Sequence, residues 1–116
     1  MPALNKDISI IKHILDYCVD IEETVTRFGN DYAIFSTDKA YRNACALCIL
    51  QIGELVGHLS DDFKHAHQDI PWSNIKAMRN IVAHAYGSIR METTWETIQD
   101  DIPYLKNYCQ NIIDQA

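Results

Sequence analysis

The chain has 116 residues, of which 47% are apolar, with four Gly and three Pro. That supplies one hydrophobic core, leaves too little chain for two domains, and excludes a disordered or breaker-rich polymer. With 16 acidic against 10 basic residues the net charge is −6, which excludes a protein that coats nucleic acid by bulk positive charge; any nucleic-acid site must be a local basic patch.

The first predicted element covers residues 4 to 28. Leu4, Ile8, Ile11, Leu15, Cys18, Ile21, Val25 and Phe28 recur at steps of three and four, one apolar stripe on a long helix. Gly29-Asn30-Asp31 is its stop signal. Tyr32 to Ser36 reads as a connector. Thr37 or Asp38 caps a second helix running to about Leu59, with Ala40, Ala44, Leu47, Cys48, Leu55 and Leu59 on its apolar face. Ser60-Asp61-Asp62 breaks it and caps a short turn around Phe63. Asp69-Ile70-Pro71-Trp72 opens a third helix, with Pro71 near the first turn, where its missing N–H costs nothing. Gly87 ends that helix. A last helix runs from about Glu92 to Ile113 with Trp95, Ile98, Ile102, Leu105, Cys109 and Ile112 inward, and Pro103 inside it should kink or split it. Nothing repeats and nothing alternates as a strand would. The expected fold is all-α: a single domain, residues 1–116, built as an antiparallel bundle of about four main helices.

The longest uncharged apolar run, Ala44 to Leu50, is too short to span a bilayer. The opening MPALNKDISIIK has charge where a signal peptide needs a long apolar stretch, so a cytoplasmic location is expected. Cys45 and Cys48 form a C-x-x-C spacing, but NACALCILQIG holds no turn residue and reads as buried helix, so these thiols are expected to pack as small hydrophobes. His65 and His67 sit in a polar stretch with no cysteine nearby to complete a zinc set. Trp72 and Trp95 are expected to anchor the core or an interface. Gly53 inside the second helix points to close helix packing.

Residues 79 to 86 read RNIVAHAY. At about 100° per residue, with Arg79 at zero, Ile75, Met78, Ile81, Val82 and Ala85 form an apolar face between roughly 200° and 320°. Asn80 and His84 fall at roughly 100° and 140°, and Tyr86 returns to within about 20° of Arg79. The four polar groups thus share an arc off the core stripe. A solvated face is the bland reading of that arc. The other is phosphodiester chemistry. An imidazole can take the proton from a ribose 2′-OH or give one to the leaving oxygen, and a guanidinium can bind the phosphate and hold the developing negative charge. Asn80 could orient either group, and the last-turn position of His84 favours its protonated form. No carboxylate cluster is present to hold a metal. One helix spreads Arg79 and His84 too far apart to grip one phosphate, whereas two copies across a two-fold axis bring both pairs into one cleft.

These residues resemble a known family. The run IPWSNIKAMRNIVAHAYGSI, followed by TTWETIQDDIPYL, resembles the HepT-like branch of the HEPN superfamily, whose hallmark is Arg, four residues, His, one residue, Tyr. Here these are Arg79, His84 and Tyr86, with Asn80 in its usual place after the arginine. Gln51-Ile52-Gly53-Glu54 resembles the family's QIGE stretch, and the likeness spans roughly Ala40 to Leu105.

The resemblance implies a HEPN-like homodimer with a composite cleft. It implies a metal-independent endoribonuclease, the toxin of a type VII toxin–antitoxin pair, with catalytic Arg79 and His84, Asn80 in support, and no cofactor. Its implied partners are RNA and a small nucleotidyltransferase antitoxin of the MntA type, which silences the toxin by transferring AMP to the tyrosine, here Tyr86. The chain departs from the family at Ala85, where Asp is frequent, and at Ile89-Arg90, where an acidic residue is frequent. Neither departure touches Arg79, His84 or Tyr86. The alternative is a non-catalytic helical module that binds a nucleotide or the nucleotidyltransferase through the same arc.

Overall fold

A computed structural model describes residues 2–77 and 91–115, apart from the side chains of residues 2–5. The described residues are helical with no strand, as the patterning predicts. In chain order the helices are α1 (Pro2–Phe28), α2 (Tyr32–Thr37), α3 (Lys39–Gly57), α4 (Asp61–Ala66), α5 (72–77), α6 (Met91–Glu96) and α7 (Ile102–Gln115), with a π-helical stretch, Thr97–Asp101, joining the last two. No helix among them is long and apolar enough to cross a membrane.

The apolar stripe of α1 is the spine of the core. Ile11, Ile14, Cys18 and Ile21 are fully buried, while Ile8, Leu15, Val25 and Phe28 close its edges. Gly29 ends the helix at φ 117°, a left-handed conformation that costs a side-chain-bearing residue energy, and its N–H donates to the Val25 carbonyl at 2.8 Å.

Helices α3 and α7 both pack antiparallel to α1. The start of α1 meets the end of α3, because Asp7 accepts hydrogen bonds from the Ser60 N–H (2.9 Å) and hydroxyl (2.6 Å). The end of α1 meets the start of α3, where Phe28 and Tyr41 stack with centroids 5.0 Å apart. Helix α7 also runs against α1, and Lys106 donates to Glu22 at 2.6 Å. At about 1.5 Å per residue the 27 residues of α1 span roughly 40 Å, which accounts for most of the 46 Å long axis.

Two expectations need correction, and a third gains its detail. Tyr32–Thr37 is a helix, not a connector: Asp31 accepts from the Ala33 N–H at 2.8 Å and starts it, and Arg42 donates to the Ser36 carbonyl at 2.7 Å and closes it. The buried face of α3 is Tyr41, Cys45, Cys48, Ile49, Ile52 and Val56, whereas Ala40 and Leu47 are exposed and Ala44 and Leu55 lie at its margins. Tyr41 outcompetes Ala40 for the core because its larger apolar body gains more from burial. Pro103 does split the last α-helical stretch in two, as expected. The turn before it widens to a π-helix, in which the Ile102 N–H reaches back to the Thr97 carbonyl, so the missing proline donor is absorbed without ending the rod.

Candidate functional site

Arg79, Asn80, His84 and Tyr86 lie outside the described residues, as do Met78, Ile81, Val82, Ala85, Gly87 and Arg90 from the same argument. The structure does describe the framework on either side of them. Ser60 opens the leading side: its Oγ accepts from the Phe63 N–H at 3.1 Å and caps α4 while donating to Asp7. Asp7 is thereby buried at 2% exposure with both carboxylate oxygens engaged.

Phe63 inserts beneath the corner between α4 and α5, with its ring 4.4 Å from that of His67. Trp72 closes the corner. It is buried, its indole N–H donates to the His67 carbonyl at 2.9 Å, and Ile70 and Ile75 are buried on the same side. Pro71 stands one residue ahead of the first helical turn, and its carbonyl accepts from the Ile75 N–H at 3.1 Å. The trailing side is fixed by Trp95, with ring centroids 5.1 Å from Phe35, 6.2 Å from Tyr32 and 6.3 Å from Tyr41.

Both tryptophans therefore act as anchors, and they belong to opposite ends of α3. Trp72 shares a cleft with Val56 and Trp95 packs by Tyr41, positions about 22 Å apart along a helix. Tyr41 itself is held rigidly. Its hydroxyl donates to the Gly29 carbonyl at 3.0 Å, and burial, with a smaller effect from Cys45, pushes its pKa up to about 12.

The cleft beside Trp72 has a volume of about 460 Å³. Its floor is Val56, Ile70, Pro71 and Trp72. Lys64 of α4 and Lys76 of α5 line it too, with Gln68 and Ser73, so among the described residues every charge lining it is positive. These lysines stand twelve positions apart in the sequence, and the α4–α5 corner brings them to one cleft.

The other candidate chemistry is quiet. All four cysteines are buried and free. Burial pushes the thiols of Cys45 and Cys109 up to about 12 and that of Cys48 to about 11, the last with help from Asp20, and raises Cys18 further. Such thiols are neutral and poor nucleophiles, as the packing reading of the C-x-x-C expects. His65 is exposed on α4, and His67 contacts the Tyr108 hydroxyl through Nδ1 at 3.3 Å. Among the described residues no three His, Cys, Asp or Glu side chains converge as metal ligands.

Comparison with known proteins places this framework in context. A family model described as "Ribonuclease HepT-like" matches residues 14–112. The chain is 33% identical over 96 residues to a probable ribonuclease HepT from Thermococcus cleftensis, covering 78% of this chain and 87% of that protein. It is 30% identical over 105 residues to a putative RNase from Caldanaerobacter subterraneus subsp. tengcongensis, covering 90% and 92%. A gamma-glutamylcyclotransferase and putative RNase from Methanocaldococcus jannaschii is 32% identical over 97% of this chain and 50% of its own length. No solved structure matches the chain.

Proposed function

The chain belongs to the ribonuclease HepT-like family, and we propose from that premise that it is a metal-independent endoribonuclease, working as one domain and as a homodimer. The observation that carries this reading is the intact Arg79…His84…Tyr86 spacing, with Asn80 after the arginine, inside the stretch that matches the family. His84 takes the proton from a ribose 2′-OH. The freed oxygen attacks the adjacent phosphorus, and the bond to the 5′-oxygen breaks. A protonated His84, from the second chain of the dimer, returns a proton to that leaving oxygen. The products are a 2′,3′-cyclic phosphate and a 5′-hydroxyl. Arg79 holds the charge that builds on the phosphoryl oxygens, and Asn80 orients the histidine.

Control of the activity follows from Tyr86. A nucleotidyltransferase antitoxin transfers AMP from ATP to the phenolic oxygen and releases pyrophosphate. The new phosphodiester places a negative charge at the bearing of Arg79, competing with RNA for the guanidinium and blocking the cleft. The protein is then the toxin of a toxin–antitoxin pair in the cytoplasm.

The test is RNA cleavage in EDTA by protein made without its partner, with the intact mass recorded. The expected result is cleavage that falls by about 10²- to 10⁴-fold in His84→Ala, the usual contribution of a general acid or base. Unmodified dimer that cuts none of several RNAs supports the binding-module reading, which the net charge of −6 also suits.

A further inference from the structure

The cleft between the end of α3, α4 and α5 takes no part in the chemistry above. We infer that it is a second phosphate subsite, which holds the backbone of the substrate RNA strand away from the phosphate that is cut. This rests on the ribonuclease reading and extends it to how the strand is held.

The first support is charge. Lys64 and Lys76 come from different helices and face one volume of about 460 Å³ that no carboxylate lines among the described residues. In a chain with a net charge of −6 most of the surface repels a polyanion, so a concave patch of one positive sign is where a strand can be received. Two other cations are already engaged. Lys106 is on Glu22 at 2.6 Å, and Arg42 is on the carbonyls closing α2.

The two cleft lysines are available. Among the described residues Lys64 pairs only with Asp61, 4.0 Å away on a fully exposed side chain, a contact that water screens. Among the described residues no carboxylate pairs with Lys76. Its Cε and Nζ lie 3.6 and 3.7 Å from where a Cβ on Gly57 would stand, so its stem rests across the bare end of α3 with the ammonium at the cleft.

The second support is shape and chemistry. The volume falls in the range of small-molecule sites and suits a nucleotide unit better than a lone phosphate. Ser73 and Gln68 add neutral donors to the lysines, and the apolar floor suits the carbon face of a ribose. Contacts of this kind fix the register of a strand and read no sequence. Lys76 precedes Arg79 by three residues, so one segment carries both the holding and the cutting groups.

The experiment measures binding of a labelled single-stranded RNA by fluorescence anisotropy across a salt series, in the His84→Ala background so that nothing is cut. Lys64→Gln/Lys76→Gln is compared with Lys12→Gln, an exposed lysine on α1. The expected result is a slope of log affinity against log salt shallower by about 1.4 in the double variant, since each phosphate contact on a single strand contributes about 0.7. Affinity at 0.1 M salt should fall roughly tenfold or more, and Lys12→Gln should leave both quantities in place. An unchanged slope in the double variant overturns the inference, as does an equal loss in Lys12→Gln. Wild-type chain that binds RNA through these lysines yet cuts none removes the nuclease reading and keeps the subsite. Wild-type chain that neither cuts nor binds RNA ends both.

Discussion

Four thiols share the core, and burial holds each of them protonated well above the ordinary value of 9.0. The consequence is a pH dependence of stability with a definite sign. Below pH 9 the thiols are protonated in the folded and the unfolded chain alike, and their contribution is fully present. As pH rises above 9 the unfolded chain loses thiol protons that the folded chain retains, so stability falls through the window up to about 12. Thermal unfolding between pH 8 and pH 11 should show a progressively lower Tm, and replacing Cys45 and Cys109 with Ala should flatten that fall. A midpoint that ignores pH across this range would mean that the thiols titrate equally in both states. The burial of Cys45 and Cys48 was legible in the sequence, because a C-x-x-C without turn residues amid apolar neighbours has no reason to sit in a loop. Asp7 was not legible. It is an unremarkable polar residue between Lys6 and Ile8, and its burial depends on Ser60, 53 positions away.

At the scale of the element, caps and steric bulk decide what hydrophobic spacing leaves open. The stripes of α1 and α7 were readable because their apolar residues fall on one face with little competition. That of α3 was misphased. KAYRNACALCILQIGELV is apolar nearly all round, so spacing alone does not choose between Ala40, Ala44, Leu47 and Tyr41, Cys45, Ile49, Ile52. The choice is made by the ring cluster of Phe28, Phe35, Tyr41 and Trp95, which needs Tyr41 inward. Asp38 fixes where that helix begins, accepting from the Tyr41 N–H at 3.2 Å. Asp38→Ala should therefore lower unfolding stability by about 1 kcal/mol, read from the urea midpoint at constant slope. A loss well under that value would show that the Tyr41 cluster alone sets the start of α3. The π-stretch before Pro103 was half legible: a proline inside a helical pattern signals trouble, but whether the rod breaks, bends or widens depends on the packing of Ile98, Ile102 and Leu105 on both sides of it, which holds the rod together.

For the whole molecule, the antiparallel bundle followed from amphipathic stretches joined by short breaks, and its described helices bear that out. The proposed site was legible only as a motif, because Arg79, Asn80, His84 and Tyr86 acquire meaning from spacing and resemblance. The lysine cleft was illegible for the opposite reason, since nothing in the sequence marks Lys64 and Lys76 as neighbours. The proposed two-chain cleft gives a test that no single-chain site could pass. Wild-type and His84→Ala chains, unfolded together and refolded as mixed dimers, should give heterodimers about as impaired in RNA cleavage as His84→Ala itself, because the step uses one His84 from each chain. Heterodimers that keep half of the wild-type activity would place the chemistry within one chain.

The link from Asp7 to Ser60 also sets an order of events during synthesis. The ribosome releases α1 before α3, and with it a carboxylate whose burial is favourable only once the Ser60 N–H and hydroxyl are there to meet it. Until Ser60 has emerged, the start of α1 keeps its charge in water and its apolar stripe uncovered. The nascent chain is then obliged to wait for the end of α3 before its first helix can dock at full depth.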